Sequence, residues 1–243
     1  MNLTPVLLAG LLMTGCASAT IGGPSSQSAD CLIDGLTTWP VGTAWQEASF
    51  AAVDGWTRPA PAGPWDFEAL GSPFMTETRT VVAVGDAPHN QQFPPDSYVI
   101  QSENSGAAVA RLYRFYLVGT DGLYWLGDSD PLLAVTVDPP QKFLPSTMRV
   151  GQRWEQQYRD SRYDVLVSTD HEVIGCGEAR VPAGRYSNSL LLRSTYRYSE
   201  SPSSSTVLTW HVTGVGMVAA AVFSGGDDLT SISVLTEFRP TAR

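Results

Sequence analysis

Three histidines, His89, His171 and His211, are the side chains best suited to hold a metal or move a proton near neutral pH. They lie far apart and fall in different elements, a pattern commoner among solvated or hydrogen-bonded residues than in a ligand set. His171-Glu172 opens like the HExxH pair of a zinc protease, but Gly175 stands where the second histidine is needed. Asp128 with Asp130, and Asp227 with Asp228, sit beside glycines. Calcium favours such oxygens, yet aspartate is also an ordinary turn former, and neither pair belongs to a full ligand loop. The chain has no Gly-x-Ser-x-Gly elbow, no Ser-x-x-Lys pair and no glycine-rich phosphate loop. Carboxylate pairs for glycoside hydrolysis are spaced in three dimensions rather than along the chain, so a spatially assembled hydrolase stays as the less favoured reading. The expectation is no catalysis, no metal and no cofactor.

Composition narrows the alternatives. The formal net charge is −9, and Lys142 is the only lysine. A nucleic-acid binder needs clustered cations to neutralise phosphates, so nucleic acid is excluded as a partner. The same acidity disfavours electrostatic docking on anionic lipid. Hydrophobic residues make up 43% of the chain, enough for a packed core, and 243 residues allow one large β domain or two small ones.

The elements that must position any site read as strands. Val41-Gly42-Thr43-Ala44-Trp45 is echoed by Val150-Gly151-Gln152-Arg153-Trp154. In each, the glycine supplies a corner that a bulky residue resists and the tryptophan opens a strand. From Leu190 to Tyr198, Leu190, Leu192, Tyr196 and Tyr198 share one face, and Arg193, Thr195 and Arg197 the other, with Leu191 the exception. Leu208, Trp210 and Val212 share a face of the next strand, and Ile232, Val234 and Phe238 a face of the last. Trp56 to Pro73 carries too many prolines for a central strand. It should wrap over a sheet face or edge, with Trp56, Trp65 and Phe67 as anchors. The fold class is all-β, or mainly β with one or two short helices, arranged as two tandem curved antiparallel sheets or half-barrels. The first module covers 31–140, ending at Asp138-Pro139-Pro140, and the second covers 141–243. Trp154, Tyr196 and Trp210 are the aromatics that would line a ligand or fill the core of the second.

At the N-terminus, Val6 to Met13 is apolar but too short to span a bilayer. It runs into Leu12-Met13-Thr14-Gly15-Cys16, which resembles the lipobox of bacterial lipoproteins. Met13 replaces the usual leucine, and no Lys or Arg precedes the apolar run. The resemblance implies removal of residues 1–15, acylation of Cys16, and a flexible tether over 16–30. Ala17 after the cysteine implies the outer membrane as the site of anchoring, facing the periplasm, with the cell surface as the alternative. A plain secretory signal is the alternative. Export would place Cys31 and Cys176 in an oxidising compartment, where two cysteines most often form a bridge; two buried thiols that never meet are the other outcome.

The later marks carry a second resemblance. Val150 to Trp154, the turn Val181-Pro182-Ala183-Gly184-Arg185-Tyr186, and Trp210 running into Gly214-Val215-Gly216-Met217-Val218 are similar in order to a family of bacterial envelope lipoproteins of unknown function. Such proteins look like relatives of the LolA/LolB half-barrel carriers, in which a curved sheet encloses an apolar concavity. The resemblance implies a non-catalytic binding or scaffolding protein, in sharper form a holder of lipid or another apolar ligand. An interaction subunit of an envelope assembly is the alternative. Mature protein extracted from membranes should have an intact mass that begins at Cys16 and includes fatty acyl chains. An unacylated mass would remove the anchor from this reading.

Overall fold

The computed structural model describes residues 31–34, 38–52, 56, 58–105, 111–225 and 227–241. The signal segment, Cys16 and the tether lie outside the described residues. The strands are β1 (Leu32–Asp34), β2 (Ala44–Ala51), β3 (Trp65–Asp66), β4 (Met75–Val82), β5 (Tyr98–Ser105), β6 (Arg111–Val118), β7 (Gly122–Ser129), β8 (Ala134–Pro145), β9 (Thr147–Arg149), β10 (Arg153–Asp160), β11 (Val165–Val181), β12 (Gly184–Tyr198), β13 (Ser204–Val212), β14 (Gly216–Ser224) and β15 (Asp228–Arg239). Helical structure among the described residues is confined to two three-residue turns, Val84–Asp86 and Asn90–Gln92. The fold is all-β.

One sheet runs in the order β10-β8-β7-β6-β5-β4-β2-β15-β14-β13-β12-β11, and β11 returns to pair with β10. These strands close a 12-strand antiparallel barrel. The two curved sheets expected from the sequence are its halves: β2 to β8 on one side and β10 to β15 on the other, joined along β2–β15 and β8–β10. Each half opens with its Val-Gly-x-x-Trp unit. Gly42 and Gly151 have φ of 92° and 86°, the left-handed region where a side chain is strained.

The boundary placed at residue 140 falls inside β8, which runs on to Pro145. Pro139 and Pro140 lack backbone donors, but none is needed there. Pairing with β7 lapses between Thr136, opposite Gly127, and Gln141, opposite Trp125. A chain that reads as interrupted is therefore a strand with a wide bulge. The β8–β10 seam needs another device, because only Asp138 and Val137 pair with Arg159 and Asp160. Beyond them the side chain of Gln156 acts as a substitute peptide. Its Oε1 accepts from the Lys142 N–H at 2.7 Å, and its Nε2 donates to the Lys142 carbonyl at 3.1 Å.

The main hydrophobic core lies outside the barrel. Trp210, Leu208, Phe223, Ile232 and Val234 point outward and are buried beneath the proline-rich arm, whose Trp65 and Phe67 pack on them. Phe67 and Trp65 meet Trp210 edge-on at centroid distances of 4.8 and 6.0 Å. Leu191, the apolar exception on a charged face, belongs to this cluster. A smaller core forms where Phe93, from the loop after β4, stacks on Phe115 at 3.8 Å. Cys31 and Cys176 form a disulfide that ties the segment entering β1 to β11.

Gly175 explains how the arm docks. A Cβ there would sit 1.8 Å from the Pro61 carbonyl oxygen, so only glycine lets the two backbones touch. Gly175→Ala should therefore lift the arm. We expect a loss of about 1–3 kcal/mol in denaturant unfolding, with a red shift of tryptophan emission as Trp65 and Trp210 gain water. Unchanged stability and emission would show that the arm is not held by this contact.

Candidate functional site

Inside the barrel is a cavity of about 750 Å³. Its lining alternates with the outward core, as strand geometry requires. Where Trp210 and Leu208 face out, Val207, Thr209 and His211 face in. The walls differ in chemistry. Glu47 on β2, Arg79 on β4 and Arg114 on β6 give one side its charge. Farther round the barrel β13 and β14 present Val207, Met217, Ala220 and Val222 beside Thr209 and His211. Trp39 and Trp45 lie at one end, edge to face at 4.9 Å, and their indole N–H groups donate to the Gly214 and Val215 carbonyls. At the other end the lining reaches Tyr163, which is 67% exposed, and Tyr198.

The three aromatics named from sequence separate. Tyr196 lines the cavity. Trp154 stacks on the cavity residue His171 at 4.8 Å and donates its indole N–H to the Lys142 carbonyl. Trp210 faces the opposite side of the sheet and neither lines nor fills the space. Of the two roles expected for it, lining a ligand or filling the core, it takes the second: the covering arm makes the outer surface of β13 as dry as a core. The residues the sequence reading passed over are Glu47, Arg79 and Arg114. Their signal was a charged residue in a strand on the same face as a tryptophan or tyrosine, as with Trp45 and Glu47.

Arg79 is held between two carboxylates. One terminal nitrogen lies 2.9 Å from Glu47 Oε1 and its Nε 2.9 Å from Glu77 Oε1. Burial alone would raise the Glu77 pKa, but the charge and hydrogen bonds of Arg79 outweigh it and hold Glu77 at about 2. For Glu47 burial wins over the same arginine, and its pKa is raised. Glu47 Oε2 is buried and has no partner. Asp128 is also raised by burial, against the pull of Arg114.

Two of the three histidines line this cavity, and His89 stands elsewhere, in a loop on the outside. Among the described residues no three His, Cys, Asp or Glu side chains gather as a metal site. Asp130 caps its own turn by accepting from the Leu132 and Leu133 N–H groups, and Asp227 pairs with Arg58. Ser194 Oγ lies 2.8 Å from His171 Nδ1, the spacing of a nucleophile and its base. The rest of such a site is missing from the pair's surroundings. His171 Nε2 has no partner to orient the ring, and burial lowers its pKa to about 4, which makes it a weak base. Ser194 also pairs on both sides, with His171 and Val207, so its strand offers no free N–H groups for an oxyanion.

No family model matches the chain, and no curated protein matches it. The fold is similar to two solved structures. One is a candidate lipoprotein from Parabacteroides distasonis, at 13% identity and a TM-score of 0.43, covering 86% of this chain and 100% of that one. The other is a candidate exported protein with a YmcC-like fold from Bacteroides fragilis, at 10% identity and a TM-score of 0.44, covering 85% and 99%.

The buried histidines set a pH dependence. Burial lowers both His171 and His211 to about 4, from about 6.5 in the unfolded chain. Between those values the unfolded chain binds more protons, so stability is full above about 6.5 and falls as pH drops toward 4, by on the order of 3 kcal/mol per histidine at most. The raised Glu47 works the other way, favouring the fold at low pH. The urea midpoint should fall on acidification from pH 6.5 to 4, and His211→Gln should flatten the slope by about half. A slope unaltered by that change would mean that His211 titrates normally in the fold.

Proposed function

We propose that this chain is an envelope lipoprotein, moored to the outer membrane through Cys16 and facing the periplasm. In this reading it is non-catalytic and holds an amphiphilic, lipid-like ligand inside its barrel. The observation that carries it is the cavity. At about 750 Å³ it has the size of a small-molecule site, and its lining includes both aliphatic and charged side chains. An acyl chain has a surface to lie on there, and a head group has partners.

The outer surface supports an aqueous setting for the barrel. On β10 to β12 the outward face carries a charged ladder, in which Glu172 pairs with Arg153 and Arg193, and Asp170 with Arg197. A barrel that crosses a membrane turns an apolar band outward. The proline-rich arm and the loop after β4 cover much of the remaining apolar outer surface. A partner-binding role is the second reading. It is favoured by Leu132, 88% exposed at the β7–β8 turn, with Leu133 beside it.

Native mass spectrometry of the protein taken gently from membranes should find a retained lipid-like mass. Ala220→Trp, which builds an indole from β14 into the cavity, should lose that mass while keeping the β-sheet circular dichroism. A wild-type chain that carries no ligand but brings down a stoichiometric protein would favour the second reading.

A further inference from the structure

The cavity holds one charged group that no side chain meets directly. Arg79 is saturated by Glu47 and Glu77. Arg114 lines the same space on β6 and, among the described residues, makes no side-chain hydrogen bond or close ion pair, although its charge acts on Glu47 and Asp128. Its register neighbour on β7 is Asp128, whose Oδ1 instead accepts from the Trp125 indole at 3.0 Å. Glu47, Glu77 and Asp128 act on Arg114 through their charge without a hydrogen bond, so the five donors of its planar fork are left for a ligand or water. A second polar group faces the same space. Glu47 Oε2 is buried, lines the cavity and has no partner.

We propose that the cavity selects amphiphiles with an acidic head group, a carboxylate or a phosphate, which Arg114 grips through its guanidinium fork while the tail lies against Val207, Ala220 and Val222. Arg114 is suited to this, because a planar fork matches two oxygens of a carboxylate or phosphate at once. Val207, Ala220 and Val222 give the tail an aliphatic strip on β13 and β14. This inference rests on the ligand-holding reading above and refines it.

The test uses three ligands that share one tail: laurate, dodecyl phosphate and 1-dodecanol. The full chain carries Cys16→Ser, so that no acyl anchor competes, and binding is followed by displacement of a fluorescent apolar probe at pH 7.5. The acids should bind at least about tenfold more tightly than the alcohol, and the better of the two acids identifies the head-group class. Arg114→Met should bring the acids down to the alcohol's affinity while leaving the alcohol within about twofold, which also reports that the barrel is intact. If the alcohol binds as well as the acids to the unsubstituted cavity, the head-group inference fails and the ligand-holding reading stands. If none of the three binds, the ligand-holding reading fails with it. The comparison of acids with alcohol in the unsubstituted cavity decides the matter even if Arg114→Met does not fold.

Discussion

Twelve strands enclose more space than their own side chains can fill. About eight strands is the size at which inward residues meet at the axis; beyond that a barrel keeps a lumen. The rest of this molecule follows from that limit. The interior cannot serve as the main hydrophobic core, so the apolar residues that stabilise the sheet lie on its outer surface. A sheet with a dry outer face needs covers, and the chain supplies two: the proline-rich arm over β12 to β15 and the loop after β4 over β5 to β7. The arm's prolines suit this work, since a cover has no ladder to donate to.

Closure carries its own difficulty. A sheet of this width leaves two edges that must meet, and the edges at β8 and β10 match over only two residue pairs. Gln156 fills the gap with its amide, and the indole N–H of Trp154 shares the same Lys142 carbonyl. The equivalent position in the other half, two residues after the opening tryptophan, is Glu47, and there the strand pairs with β4 and, beside a bulge at Thr236, with β15. Its side chain is free to turn inward and engage Arg79. Two halves that begin alike thus differ where one must mend the seam and the other faces the lumen. A lumen lined by both charged and aliphatic groups is the result.

How much of this was legible in the sequence can be judged residue by residue. The period-two pattern of β12 was visible, and the one residue that broke it, Leu191, is the one the arm covers. The glycine corners at Gly42 and Gly151 were legible because a positive φ is a local demand. Gly175 was noticed only as a missing histidine, because its reason is the backbone of Pro61, more than a hundred residues away. Asp138-Pro139-Pro140 read as an end, because a missing N–H looks the same in a linker and in a bulge.

Local chemistry alone determined the strands, their turns and the all-β class, since alternation and glycine corners are properties of neighbouring residues. Only the tertiary structure decided which face of each strand looks inward. Alternation distinguishes two faces but does not say which one meets the lumen and which the covering arm. It placed Trp210 in the outer core and left Arg114 facing open space, because those outcomes depend on strands far apart in the chain closing into a circle of a particular width.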